Sequence, residues 1–185
     1  MSKYLSRLMT AIIICVSLAV SSVYAQDLSD HHKINIDPTM KKKMSPEALK
    51  SIQRFFKDAE LAIEKENLDG LMSLYSDHYK NASHTKQSAR TIWIRIFEKF
   101  DDMASVHNMR MKMYSPDSNV IIIRCSGLLM GKPVGEAELI TIDSWTNEDH
   151  VLSRVKKGDA WKLIGTAGQK KRKRLWFDKP MHPLF

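Results

Sequence analysis

Three groups of residues in this sequence have types and spacing that could do chemistry. His107, Met109, Met111 and Met113 recur at every second position, which on an extended strand puts four soft ligands on one face. Imidazole and thioether ligands suit Cu(I). The simpler reading is that Met fills an irregular core, with Asn108, Arg110 and Lys112 forming the wet opposite face. Asp143 falls in the alternation Leu139, Thr141, Asp143, Trp145. If that face is concave, its carboxylate sits among apolar groups and desolvation raises its pKa. The structural alternative is a pairing with Lys or Arg near a strand end. Tyr75, Asp77, His78 and Tyr79 make the third group. Elsewhere the signal is thin. His31-His32 beside Asp30 could hold a metal weakly, but no second cluster at ligand spacing follows. Cys125 comes after four aliphatics and Arg124, with no Cys–His–Asn order readable around it, and reads as a buried inert thiol. There is no Gly-rich phosphate loop and no Gly-x-Ser-x-Gly elbow. Asn81-Ala82-Ser83 is a glycosylation sequon by pattern only. No cofactor and no resident metal is implied.

The elements that must position these residues follow from periodicity. Ser45-Pro46 opens a helix, Ser as N-cap and Pro at the first helical position. Ala48, Leu49, Ile52, Phe55, Phe56, Ala59, Ala62 and Ile63 recur at three and four, so it runs to about Glu66 with one wide apolar face. Asn67-Leu68-Asp69 breaks it, and Asp69 can cap a shorter helix through Tyr75. Residues 76–84 read as a polar connection. Thr85 caps a third helix, striped by Ala89, Ile92, Trp93, Ile96, Phe97 and Phe100. After Asp102 the period changes to two. Strands are predicted over 106–114, 120–130, 134–146, 150–156 and 160–167, the second covered on both faces at its start. The last two form a hairpin around Lys157-Gly158-Asp159, where Gly supplies positive φ. Amphipathic helices must bury their stripes on one face of such a sheet.

The ends carry different information. Residues 1–25 read as an export signal: Lys3 and Arg7, the apolar run Leu8–Val20, then Val23-Tyr24-Ala25 as a small-x-small cleavage site. A spanning helix needs about 20 apolar residues, and this run is shorter. Residues 26–44 read as a flexible lead-in, 45–169 as the folded domain and 170–185 as a basic and aromatic tail. Without Lys3 and Arg7 the net charge of +8 falls to +6, and the tail holds six basic residues against Asp178. The body, 26–169, is therefore nearly neutral. A nucleic-acid-binding domain would spread Lys and Arg over a folded face, so nucleic acid is not expected as a partner. Lys170–Arg174, followed by Trp176 and Phe177, could meet an anionic membrane surface; a solvated extension is the simpler account. Loss of Cys15 with the signal leaves Cys125 as the single thiol.

From Pro46 to Gln169 the chain resembles the nuclear-transport-factor-2-like superfamily, which includes SnoaL-like cyclases and ketosteroid isomerases. The carriers are Glu66-Asn67-Leu68-Asp69-Gly70-Leu71-Met72-Ser73-Leu74-Tyr75 after a long first helix, and the closing Val155-Lys156-Lys157-Gly158-Asp159-Ala160-Trp161-Lys162-Leu163-Ile164. It is also similar to exported accessory domains of that superfamily. The resemblance implies an α+β, cone-shaped (cystatin-like) fold, three N-terminal helices packed on a curved antiparallel sheet. It implies a pocket between the layers, lined by Phe55, Trp93, Phe97, Leu139 and Trp145, and a homodimer through the sheet. Isomerases of that superfamily set an acid group beside a Tyr in an apolar pocket; the candidates here are Asp143 with Tyr75 or Tyr79, which do not match an isomerase dyad one by one. One fold hosts many chemistries, so function has to come from the site. The expectation is an exported, periplasmic or secreted, non-catalytic protein that binds a small apolar ligand or serves a protein partner in the cell envelope. A SnoaL-like isomerase, cyclase or dehydratase is the alternative, and a copper carrier the third reading.

Overall fold

The computed structural model describes residues 32–35, 38–115 and 117–167. The elements below belong to one compact unit beginning at Lys33, save for the first residue of β1. The export signal and the basic tail lie outside the described residues. The segment read as a lead-in holds a short strand, β1 (His32–Asn35), and one helical turn, α1 (Pro38–Lys41).

Helix α2 (Pro46–Glu64) begins where the sequence places it. Ser45 Oγ accepts the Ala48 N–H at 3.2 Å, and Pro46 occupies the first turn, where a missing N–H costs nothing. Ala48, Ile52, Phe55, Phe56, Ala59, Ala62 and Ile63 are its buried stripe. Helix α3 (Leu68–Ser73) is capped by Asn67, whose Oδ1 accepts the Gly70 N–H at 3.0 Å. Asp69, expected as the cap, instead takes Arg90 at 3.0 Å. Tyr75 is no longer helical: it opens strand β2 (Tyr75–Asn81), which with β3 (His84–Thr85) replaces the expected polar connection. Thr85 and Ser88 form a reciprocal capping box at the start of α4 (Lys86–Phe97), which buries Ala89, Trp93 and Ile96.

The sheet has seven strands in the order β1-β4-β5-β6-β7-β2-β3. Strands β4 (Phe100–Tyr114), β5 (Val120–Pro133), β6 (Ile140–Ser153) and β7 (Lys162–Ala167) are antiparallel neighbours. Two predicted strands, 134–146 and 150–156, are one. Strand β6 continues through Asn147, whose φ of 56° and register shift against Cys125/Gly127 mark a bulge that bends the strand without ending it. The expected strand start at 134 is loop, so Leu139 lies outside the strand. Strand β5 alternates buried Ile121, Ile123 and Cys125 with half-buried Val120, Ile122 and Arg124, so its two faces are unequally covered. Strand β2 pairs with β7 in parallel, joining the helical first half to the last strand.

The helices cover one sheet face. The core there includes Ile52, Phe55, Phe56 and Trp93 from the helices and Met109, Ile123, Cys125 and Leu152 from the strands. Gly127 is required at its place. A Cβ would lie 2.2 Å from the Val106 carbonyl oxygen and 2.4 Å from Trp145 Cζ2, so the indole rests directly on the bare backbone.

Candidate functional site

The expected catalytic residues are not assembled. Asp143 pairs in register with Leu129 near the start of β6. It is half-buried, and its Oδ1 accepts the Ser144 N–H at 2.7 Å. Tyr75 pairs with Leu163 on β7, and Leu163 with Leu152 on β6. Leu152 stands nine residues beyond Asp143, roughly 30 Å of extended strand, and β2 is two strands away from β6. Proximity in sequence pattern did not fix position along the strand. Tyr75 instead accepts the Trp93 indole N–H at 3.0 Å and meets Tyr79 edge-on at 4.8 Å between ring centroids. Both phenols are buried, which raises their pKa values above the ordinary range. Asp77 points outward to Lys86 at 2.8 Å.

The expected pocket residues are wall and filling rather than lining. Trp93 packs on Phe97 at 5.5 Å beside the two tyrosines. Phe55 and Trp145 stand in a second run of ring contacts within the same core. Phe55 stacks edge-on with Phe56 at 5.1 Å, Phe56 contacts the His107 ring at 6.3 Å, and His107 contacts Trp145 at 5.2 Å. Phe55, Phe56, His107 and Trp145 are each at most 5% exposed, so side chains occupy the interior of the cone. Leu139 is half-buried in the loop before β6. Two depressions lie elsewhere. One, of about 340 Å³, runs along α2 and α3 past Asp58, Leu61, Lys65, Asn67 and Leu74. The other, of about 230 Å³, is polar and lies on the sheet face turned away from the helices.

Sequence reading missed the centre of the inner cluster. Cys125 Sγ accepts the Trp145 indole N–H at 3.1 Å and lies 3.4 Å from His107 Nδ1. Period-two alternation put His107 and Cys125 inward, but only the pairing register sets His107 opposite Gly127 and Trp145 beyond it. A thiol next to an imidazole invites a nucleophile reading. Burial pushes the Cys125 thiol up to about 12, so it is a protonated packing group at neutral pH. His150, wholly buried on β6, is driven down to about 3, first by burial and then by His107. The four soft ligands do not share a face. A register shift between Met111 and Met113 turns Met113 out to 45% exposure and puts Tyr114 into the core. Among the described residues no three or more His, Cys, Asp or Glu side chains come together as a metal site.

No family model matches the chain, and no curated protein matches it. Solved structures are. A candidate aromatic ring hydroxylase from Novosphingobium aromaticivorans superimposes with a TM-score of 0.52 at 15% identity, covering 66% of this chain and 88% of that one. Aln2 from a Streptomyces species gives 0.52 at 11%, covering 66% and 90%. A candidate dehydratase of the nuclear-transport-factor-2-like family from Streptomyces avermitilis gives 0.48 at 10%, covering 64% and 92%. The chain shares its α+β fold, helices on one face of a largely antiparallel sheet, with these structures, which is the architecture the resemblance implies. At such identities the likeness is one of fold.

Proposed function

We propose that this protein is an exported accessory protein of the cell envelope that acts by binding a partner rather than by chemistry. The observation that carries this is the filled interior: Phe55 stacks on Phe56, Phe56 on His107, and His107 and Trp145 meet Cys125, where the resemblance implies a pocket. The Asp–Tyr acid pair is dispersed, and the one thiol is held protonated. Export rests on the pattern of residues 1–25. Among the described residues no helix is long and apolar enough to cross a membrane. The test is purification from the native host outside the cytoplasm, followed by native mass spectrometry. The expected species begins at Gln26, carries no small-molecule adduct and co-purifies with a protein partner. A retained small apolar ligand overturns the filled-interior reading, and a cytoplasmic chain beginning at Met1 overturns export.

A second reading is a small enzyme of isomerase, cyclase or dehydratase type. The names of the similar structures favour it, since one is called an aromatic ring hydroxylase. In this chain it would need the inner cluster to open so that the His107 imidazole, now against Cys125, reached a substrate. Turnover abolished by His107→Gln with the fold intact would establish it.

A further inference from the structure

On the sheet face away from the helices, three neighbouring strands bring hydrogen-bonding side chains to one place. Asn108 and Arg110 come from β4, Arg124 and Ser126 from β5, and Asn147 from β6; together they line the polar depression of about 230 Å³. Alternation forces this arrangement. Met109 and Met111 are buried, so Arg110 between them faces outward, and Arg124 does the same between Ile123 and Cys125. The register then sets Arg110 directly opposite Arg124. Like charges in that position repel and weaken the strand pair.

Only one of the two arginines is neutralised. Asp149 on β6 accepts from Arg124 Nε at 2.7 Å and Nη2 at 3.0 Å, and from Lys112 Nζ. This two-pronged contact fixes the plane of the Arg124 guanidinium and leaves Nη1 out of the pairing. Arg110 is exposed and has no ion pair or hydrogen bond among the described residues. The register places Glu148 with buried Cys125, on the other face from Arg124. Arg110 and Arg124 therefore line the depression, and the group they form with Lys112 and Asp149 holds three cations against one carboxylate, a net charge of +2. Asn147 is held at the rim in a left-handed turn, its N–H donating to Ser126 Oγ at 2.9 Å.

We propose that this depression is a binding site for a phosphate group. Donors from three strands surround a concavity, which suits a tetrahedral oxyanion; a planar carboxylate is satisfied by one fork, as Asp149 is by Arg124. Arg110 and Arg124 meet the oxygens, and Asp149 and Lys112 are positioning residues that keep Arg124 in place. The phosphate belongs either to a soluble ester or to a lipid headgroup, the oxygen chemistry being the same. The site rests on sheet geometry alone and is independent of export and of catalysis.

The test uses the full chain and Arg110→Ala, chosen because Arg110 supports no described contact. Each is titrated with inorganic phosphate, and with acetate as the control anion, at constant ionic strength, following the backbone amide resonances of Asn108, Ser126 and Asn147. The expected result is saturable phosphate binding that acetate does not reproduce. Arg110→Ala should bind at least about tenfold more weakly, since one charge-assisted contact contributes roughly this much, with a melting temperature that is not lowered, because a like-charge pair is removed. Absence of saturable shifts at these amides, or equal binding by Arg110→Ala, overturns the proposal. Phosphatidylglycerol and phosphatidylcholine vesicles then separate the two sources. The basic tail is present in both chains, so sedimentation reduced in Arg110→Ala supports a lipid phosphate, and equal sedimentation a soluble ester.

Discussion

His150 sets the pH response of this protein at the level of a single side chain. Its imidazole is fully buried and held neutral, with a folded pKa of about 3 against an ordinary value of 6.5. Between those values the unfolded chain takes up a proton that the folded chain refuses, so stability is intact above about 6.5 and falls as the pH drops. The slope approaches at most about 1.4 kcal/mol per pH unit from this group. Asp149 acts in a lower window. Hydrogen bonding from Arg124 holds its carboxyl below the usual range, so its contribution is lost only as pH falls below the ordinary Asp value. Urea midpoints measured from pH 7.5 to pH 4.5 should decline steadily, and His150→Gln should flatten that decline; an equal slope in the variant removes His150 as the cause. The same residue shows what sequence could and could not reveal. Alternation along 106–125 was enough to turn His107 and Cys125 inward. Their contact, and the indole that completes it, depend on which rung of one strand faces which rung of the next, and a bulge at Asn147 shifts that match by a residue.

At the scale of elements, helices were legible because their signals are local. The Ser45 cap, the Thr85 cap and the buried stripes of α2 and α4 are all written within a few residues of where they act. Ser45→Ala should therefore cost about 1 kcal/mol, read as a lowered urea midpoint with unchanged slope; no change would mean the turn is held by Pro46 and packing alone. Strand β2 was not legible. Its sequence, Tyr75 to Asn81, is polar apart from two tyrosines and has no β-branched residue. It becomes a strand because β7 offers it a free edge, with Leu163 N–H donating to the Leu74 carbonyl at 2.8 Å and the Gly165 backbone passing close under Lys80. That tertiary partner lies about ninety positions away and overrides a weak local preference. The single strand β6 was divided for the opposite reason: Asn147-Glu148-Asp149 breaks the alternation between the two predicted strands, and the fold absorbs the break as a bulge at Asn147.

For the whole molecule, layer order and antiparallel pairing of β4 to β7 agree with the sequence reading, and the cone they make is the one the resemblance implied. What differs is its interior, which large side chains fill. Strand β7 is the piece on which both layers depend. It pairs with β6 on one side and β2 on the other, and Trp161 just before it donates its indole N–H to Ser51 Oγ on α2 at 2.9 Å. Trp161 and Leu163 are each 2% exposed. A chain stopped after Ala160 should lose cooperative unfolding altogether, seen as a sloping rather than sigmoidal circular-dichroism melt; a sharp transition would mean that helices and sheet hold together without it.

The latch of this domain is thus the last of its described strands. Helix α2 can pack on β4 and β5 earlier, but its Ser51 contact waits for Trp161, 110 positions further on, and pairing β2 with so distant a strand is intrinsically slow. A domain passed amino end first through a narrow channel would remain unlatched until β7 had emerged on the far side.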